Sequence, residues 1–101
     1  MGVTSKALYR GAATTTLTTT LYTVPSATTT VVTEIMISNT DTSPATFTIY
    51  LDGVIIAPGV TVGAKDTTVI PCKQALAATK VIQGGASATT VNISISGVEI
   101  A

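Results

Sequence analysis

Seven serines, 22 threonines and one cysteine, Cys72, are the nucleophiles this 101-residue chain offers, and it contains no histidine to activate any of them. A hydroxyl attacks only when a neighbouring base takes its proton, so hydrolase chemistry would fall to lysine. Lys6, Lys65, Lys73 and Lys80 stand in no Ser-x-x-Lys arrangement and read as solubilising surface charges. Glycoside hydrolysis needs two carboxylates flanking a sugar bond, and the chain has Glu34, Asp41, Asp52, Asp66 and Glu99 to offer. Glu34 falls within a strand pattern and Asp52 at a tight turn, so neither requires a catalytic role. The densest oxygen cluster, Asn39-Thr40-Asp41, has the composition of a turn, and no Asp-x-Asp-x-Asp calcium loop occurs. A single cysteine excludes an internal disulfide and a cysteine-built metal site, and Cys72 reads as a small buried side chain. The inventory points to a protein that is not an enzyme and takes no cofactor.

Charge narrows the partners. Charged residues make up 10% of the chain, against roughly 25% in ordinary domains, and the net charge is zero. The basic residues Lys6, Arg10, Lys65, Lys73 and Lys80 are scattered among acidic ones, without the basic face that displaces phosphate counterions, so no nucleic acid is expected. No run approaches the ~18 consecutive apolar residues of a membrane-spanning helix. The first residues lack an apolar signal region, and Lys6 stands where a myristoylation motif requires Ser or Thr, so synthesis in a cytoplasm is expected. Asn92-Ile93-Ser94 matches a glycosylation acceptor but reads as ordinary strand sequence with Asn92 facing solvent. A neutral chain with 46% hydrophobic residues tends to associate, which predicts surfaces that are covered in an oligomer or a larger assembly.

The elements that carry these residues follow a period of two, with almost no helical period. In residues 45–51, Phe47, Ile49 and Leu51 alternate with Thr46, Thr48 and Tyr50. Asp52-Gly53 then accepts positive φ at both central positions of a tight turn, so residues 54–57 should return antiparallel until Pro58-Gly59 ends the strand. Residues 29–38 form another strand, with Val31, Thr33, Ile35 and Ile37 on one face and Val32, Glu34, Met36 and Ser38 on the other. A further strand is expected over residues 17–23, where Leu17, Thr19, Leu21 and Thr23 alternate with Thr18, Thr20 and Tyr22. Short strands follow at residues 60–62, 67–72 and 80–83, with a helical turn or loop at 73–79 and a break at Gly84-Gly85. In the last strand, Val91, Ile93 and Ile95 face inward. Val98 and Ile100 then continue the apolar face with opposite parity, which predicts a β-bulge at Gly97.

Seven or eight such strands without crossover helices predict one domain, an all-β antiparallel β-sandwich of jelly-roll or immunoglobulin-like topology. Residues 1–16 are expected to form an N-terminal arm that orders on assembly, with residues 17–101 as the sandwich. Lys6, Tyr9 and Arg10 are the expected arm contacts. Val32, Met36, Tyr22 and Tyr50 fall on outward positions of their strands, where they suit contact with a partner protein.

Leu21-Tyr22-Thr23-Val24-Pro25, Ile35-Met36-Ile37-Ser38-Asn39-Thr40 and the Asp52-Gly53 hairpin together resemble the small β-sandwich virion proteins of tailed bacteriophages. The likeness covers residues 17–100, and its motifs are structural. It implies a virion component without enzyme activity, made in the bacterial host cytoplasm. Within that family, low charge and a short chain fit a homotrimeric capsid decoration, or cement, protein that clamps the major capsid protein or other virion proteins. The alternative is a tail-tip or fibre-associated adhesion module, with Tyr22, Tyr50 and the loop at residues 39–44 meeting a host glycan or protein.

Overall fold

Threonine and the β-branched aliphatics favour extended backbone because their branched Cβ restricts χ1, and alternation of the two buries one face of each strand. The computed structural model describes residues 2–101. It has eight strands: β1 (Val3–Ala12), β2 (Thr20–Thr23), β3 (Thr29–Asn39), β4 (Ala45–Leu51), β5 (Val54–Val62), β6 (Thr67–Leu76), β7 (Val81–Ala86) and β8 (Val91–Ile100). They form two four-stranded antiparallel sheets, in the orders β1-β8-β3-β6 and β2-β7-β4-β5. Successive strands alternate between the sheets, so no sheet is built from sequence neighbours except at the β4–β5 hairpin. This interleaving of Greek keys is the jelly roll, and it excludes the immunoglobulin-like alternative.

The core lies between the sheets. Phe47 and Ile49 of β4 and Ile82 of β7 face Ile35 and Ile37 of β3 and Ile93 and Ile95 of β8, and all of these are buried. Full burial of each such side chain contributes about 1.5–3 kcal/mol, which offsets the entropy of ordering the chain.

Bulges set which side chains join that core. Thr33 is an extra residue in β3, unmatched in the pairing of Val32 with Gly97 and of Glu34 with Ser96, and its hydroxyl donates to the Ser96 carbonyl at 3.1 Å. The phase of β3 therefore changes at Thr33. Val32, expected outward, is fully buried, while Val31, expected inward, is half-exposed. The expected bulge at Gly97 is displaced in the same way: β8 keeps its alternation through Gly97, and the extra residues sit opposite it, at Thr33 in β3 and Leu8 in β1. A Cβ at Gly97 would lie 2.6 Å from Leu8 Cδ1 and 2.7 Å from the Val31 carbonyl oxygen, so only glycine fits between the neighbouring strands.

Other boundaries move for equally local reasons. Asp52 and Gly53 both take positive φ, as the hairpin requires. Pro58-Gly59 does not end the return strand: β5 runs through it as a bulge, with the Gly59 amide donating to Thr48 Oγ1 at 3.1 Å. Both prolines found inside strands, Pro58 in β5 and Pro71 in β6, lie on sheet edges, where a missing N–H costs no ladder bond. The segment 73–79 continues β6 to Leu76 and turns at Ala77–Lys80, so helix propensity loses to pairing with β3. Gly84-Gly85 is not a break but the middle of β7; a Cβ on Gly85 would collide with the Thr16 carbonyl. Residues 17–19 belong to the crossing between sheets, which leaves β2 only four residues long. Most of the segment expected as an arm is β1, paired with β8 from Val3–Ile100 to Ala12–Asn92.

Candidate functional site

The sequence-selected residues fall in separate places, fixed by the register of their strands. Tyr22 pairs with the inward-facing Ile82, which turns its ring into the gap between the sheets instead of outward. Its hydroxyl donates to Glu99 Oε2 at 2.5 Å and lies 2.9 Å from Thr30 Oγ1. Glu99 Oε1 receives Lys6 Nζ at 3.5 Å from β1. One group from each of β1, β2, β3 and β8 thus closes the open edge of the sandwich. Burial, then the hydrogen bond to the Glu99 carboxylate, raise the Tyr22 pKa above its usual 10.0, keeping the phenol a donor. Tyr9 also lies at this edge, half-buried over Gly11, with its hydroxyl bonded to the Ala12 carbonyl at 3.0 Å. These are structural roles.

Among the described residues, no group of three or more His, Cys, Asp or Glu side chains is placed to hold a metal ion. The densest oxygen cluster is a joint between loops: Asn39 is buried, donates through Nδ2 to the Ser43 and Gly63 carbonyls, and accepts through Oδ1 from the Asp41 amide and the Thr90 hydroxyl. Cys72 is buried, and burial alone pushes its thiol up from 9.0.

Surfaces remain. The outer face of β1-β8-β3-β6 is laid out by register in rows across the sheet: Ala12, Asn92, Ser38 and Thr67; then Arg10, Ser94, Met36 and Val69; then Ala7, Ser96, Glu34 and Pro71. Arg10 and Met36, expected as contact residues, meet here around a shallow depression with Ser38, Asn92 and Ser94. Arg10 Nε donates to Ser94 Oγ at 3.2 Å, which leaves the terminal guanidinium nitrogens to solvent. Met36 on the inner strand β3 and Val69 beside it on the edge strand β6 are 41% and 46% exposed, large values for two neighbouring apolar side chains. Ser38, Ser94, Ser96 and Thr67 supply hydroxyls between them. The sequence singled out Arg10 and Met36 but gave no sign of their neighbours Ser94 and Val69, because only strand order brings them together.

Tyr50 sits on the outer face of the second sheet, half-buried between Ile55 and Gln83. That face is partly covered, since the crossing at residues 13–19 bonds along β7 through Gly84, Ala86 and Gln83. At its edge Val54, Ile55 and Ile56 are exposed in succession. Tyr22, Tyr50 and the loop at residues 39–44 are therefore not brought together.

No family model matches the sequence, and no curated protein matches it. A solved structure of infectious bursal disease virus, Gx strain, superposes with TM-score 0.47 at 15% identity over 97% of this chain. One of the Gt strain does so with TM-score 0.43 at 14% identity, also over 97% of this chain. This chain spans about a third of those chains, 31% and 32%.

Proposed function

We propose that this chain is a non-enzymatic structural protein of a virion, acting as a capsid decoration protein that stabilises the shell. The observation that carries this reading is the uncovered outer face of β1-β8-β3-β6, whose mapped rows hold hydroxyl, amide and aliphatic side chains with Arg10 and Glu34 as their charged groups. A face of this kind costs little to desolvate against another protein, because few charges lose their hydration. Jelly rolls serve capsids, lectins and cupins alike, so topology is compatible with the reading and the surface supports it.

In this role the protein binds the major capsid protein or other virion proteins of a tailed phage, following the resemblance of its strand motifs, and is made in the host cytoplasm. It acts by mass action: a protein that binds the assembled shell and not its separated subunits shifts the equilibrium toward assembly. The homotrimer implied by the resemblance would occupy threefold positions of the shell. A tail-tip adhesion module is the second reading, and it draws on Tyr50 and Ile55, an aromatic–aliphatic pair on the opposite sheet.

Electron micrographs of virions carrying labelled protein test both. Label over the shell, with shells lacking the protein losing their contents at lower temperature, supports decoration. Label at the tail favours adhesion, and virions without label overturn both readings.

A further inference from the structure

Arg10 and Glu34 occupy the same outer face, on β1 and β3, with β8 between them. Both are exposed, and neither belongs to an ion pair among the described residues. They are too far apart to pair within one chain: two strand spacings of ~4.8 Å and a row offset of ~7 Å put their Cα atoms roughly 12 Å apart. The midpoint between them falls on β8, between Ser94 and Ser96.

From this arrangement we infer that the β1-β8-β3-β6 face docks against the same face of a second copy of this chain. A two-fold axis lying in the plane of the face, crossing β8 between Ser94 and Ser96, exchanges the positions of Arg10 and Glu34. Each guanidinium then meets the carboxylate of the other copy, and the contact is made twice, as an isologous interface requires. Arg10 is prepared for this, since its Nε is held by Ser94 Oγ while the rest of the fork is free to take a carboxylate.

The remaining side chains agree with the same axis. Serines at the axis let the two sheets approach closely. The rotation carries Met36 of one copy over the region between Asn92 and Ser94 of the other, where the depression lined by Arg10, Ser38, Asn92 and Ser94 receives it. Burying the thioether removes an exposed apolar side chain from water on each copy. Four strands spaced ~4.8 Å apart over about nine residues offer roughly 600 Å² per copy, or about 1,200 Å² in all, at the lower bound of stable interfaces. A dissociation constant of roughly 1–100 µM fits that size with two charge pairs. The contact uses the face that the decoration role turns toward the shell, so the pair is the form of the free protein and opens when the shell takes its place.

Sedimentation equilibrium of the isolated protein tests it without a virion, so its failure leaves the decoration reading untouched. Dimers, or even multiples of a smaller oligomer, are expected. Arg10→Glu or Glu34→Arg alone should weaken association at least about tenfold, and the two reversals together should restore it. Both side chains are exposed, so each variant should fold, with circular dichroism as the check. In a Cys72→Ala background, Ser94→Cys should be joined to its copy by a bifunctional thiol cross-linker of about 10 Å span, and the Arg10→Glu substitution should remove that product. A protein that sediments only as monomer or trimer, or charge reversals that leave association unchanged or fail to rescue each other, overturns the inference.

Discussion

The Tyr22 phenol reaches across the gap between the two sheets to Glu99 on β8, donating to its carboxylate at 2.5 Å, and the same oxygen lies 2.9 Å from Thr30 on β3. A four-residue strand, β2, is thereby tied to the opposite sheet by one side chain. Tyr22→Phe keeps the ring and removes both bonds. Because one acceptor is charged and the site is half-buried, the expected loss is about 1–2 kcal/mol, read as a lower urea midpoint with unchanged slope.

Alkaline pH acts on the same residue. The folded state raises the Tyr22 pKa above the unfolded 10.0, so the unfolded chain releases its proton first as pH rises. Stability from this group is fully present below pH 10.0 and is lost as pH rises through the folded value. Cys72, raised from 9.0 by burial, adds a decline that begins one pH interval earlier. Urea midpoints measured from pH 8 upward should fall in both ranges; Cys72→Ala should remove the lower part of the decline and Tyr22→Phe the upper part.

Glycine at positions 85 and 97 is a matter of space. Gly97→Ala drives a methyl into Leu8 and the Val31 carbonyl, and Gly85→Ala drives one into the Thr16 carbonyl. Each should cost about 1–3 kcal/mol, since backbone cannot yield as a flexible side chain does. Thermal unfolding by circular dichroism would show it; an unchanged melting temperature for either variant would mean that the adjoining segment moves freely.

Asn39 joins the loops that follow β3, β5 and β7 at one end of the sandwich. Asn39→Ala leaves the Asp41 amide and the Ser43 and Gly63 carbonyls without this partner, at an expected cost of about 2–3 kcal/mol. Hydrogen exchange should accelerate at residues 40–44 and 63–66 first, while the β4 and β8 amides stay protected.

Val32 and Met36 separate core from surface on β3. Val32→Ala should destabilise by about 2 kcal/mol, whereas Met36→Ala should change stability by no more than about 0.5 kcal/mol and weaken self-association. Equal effects of the two substitutions would contradict the bulge at Thr33.

That pair also marks how far the sequence could be read. Alternation in residues 45–51 and 91–96 named strands and inward faces correctly, because a half-buried strand has no other way to distribute its apolar side chains. The Asp52-Gly53 turn was legible for a similar reason, since its backbone angles select those residues. Parity beyond a bulge was not. Thr33 carries no composition that distinguishes an unmatched residue from a paired one, so simple alternation puts Val32 on the wrong face, and Tyr22 likewise because β2 is offset against β7. The glycines inside β7 resemble a break, because the groups that fill their missing side-chain volume come from distant segments: Thr48, Ile49 and Leu21 at Gly84, and Thr14 and Thr16 at Gly85. The docking face was half-legible: Arg10 and Met36 stood out, but their adjacency depends on β8 lying between β1 and β3, which no local pattern encodes.

Gly2 and Ala101 exchange two backbone hydrogen bonds, 3.0 Å and 2.9 Å, where β1 and β8 meet. Any polypeptide continuing from either end departs from a single pole, the one opposite the loops gathered by Asn39. A peptide or reporter fused at residue 2 or at residue 101 would be presented on that pole from either attachment. A linker of a few residues joining the two ends would allow the ring to be reopened at an exposed turn, such as that near Lys65, without breaking a strand.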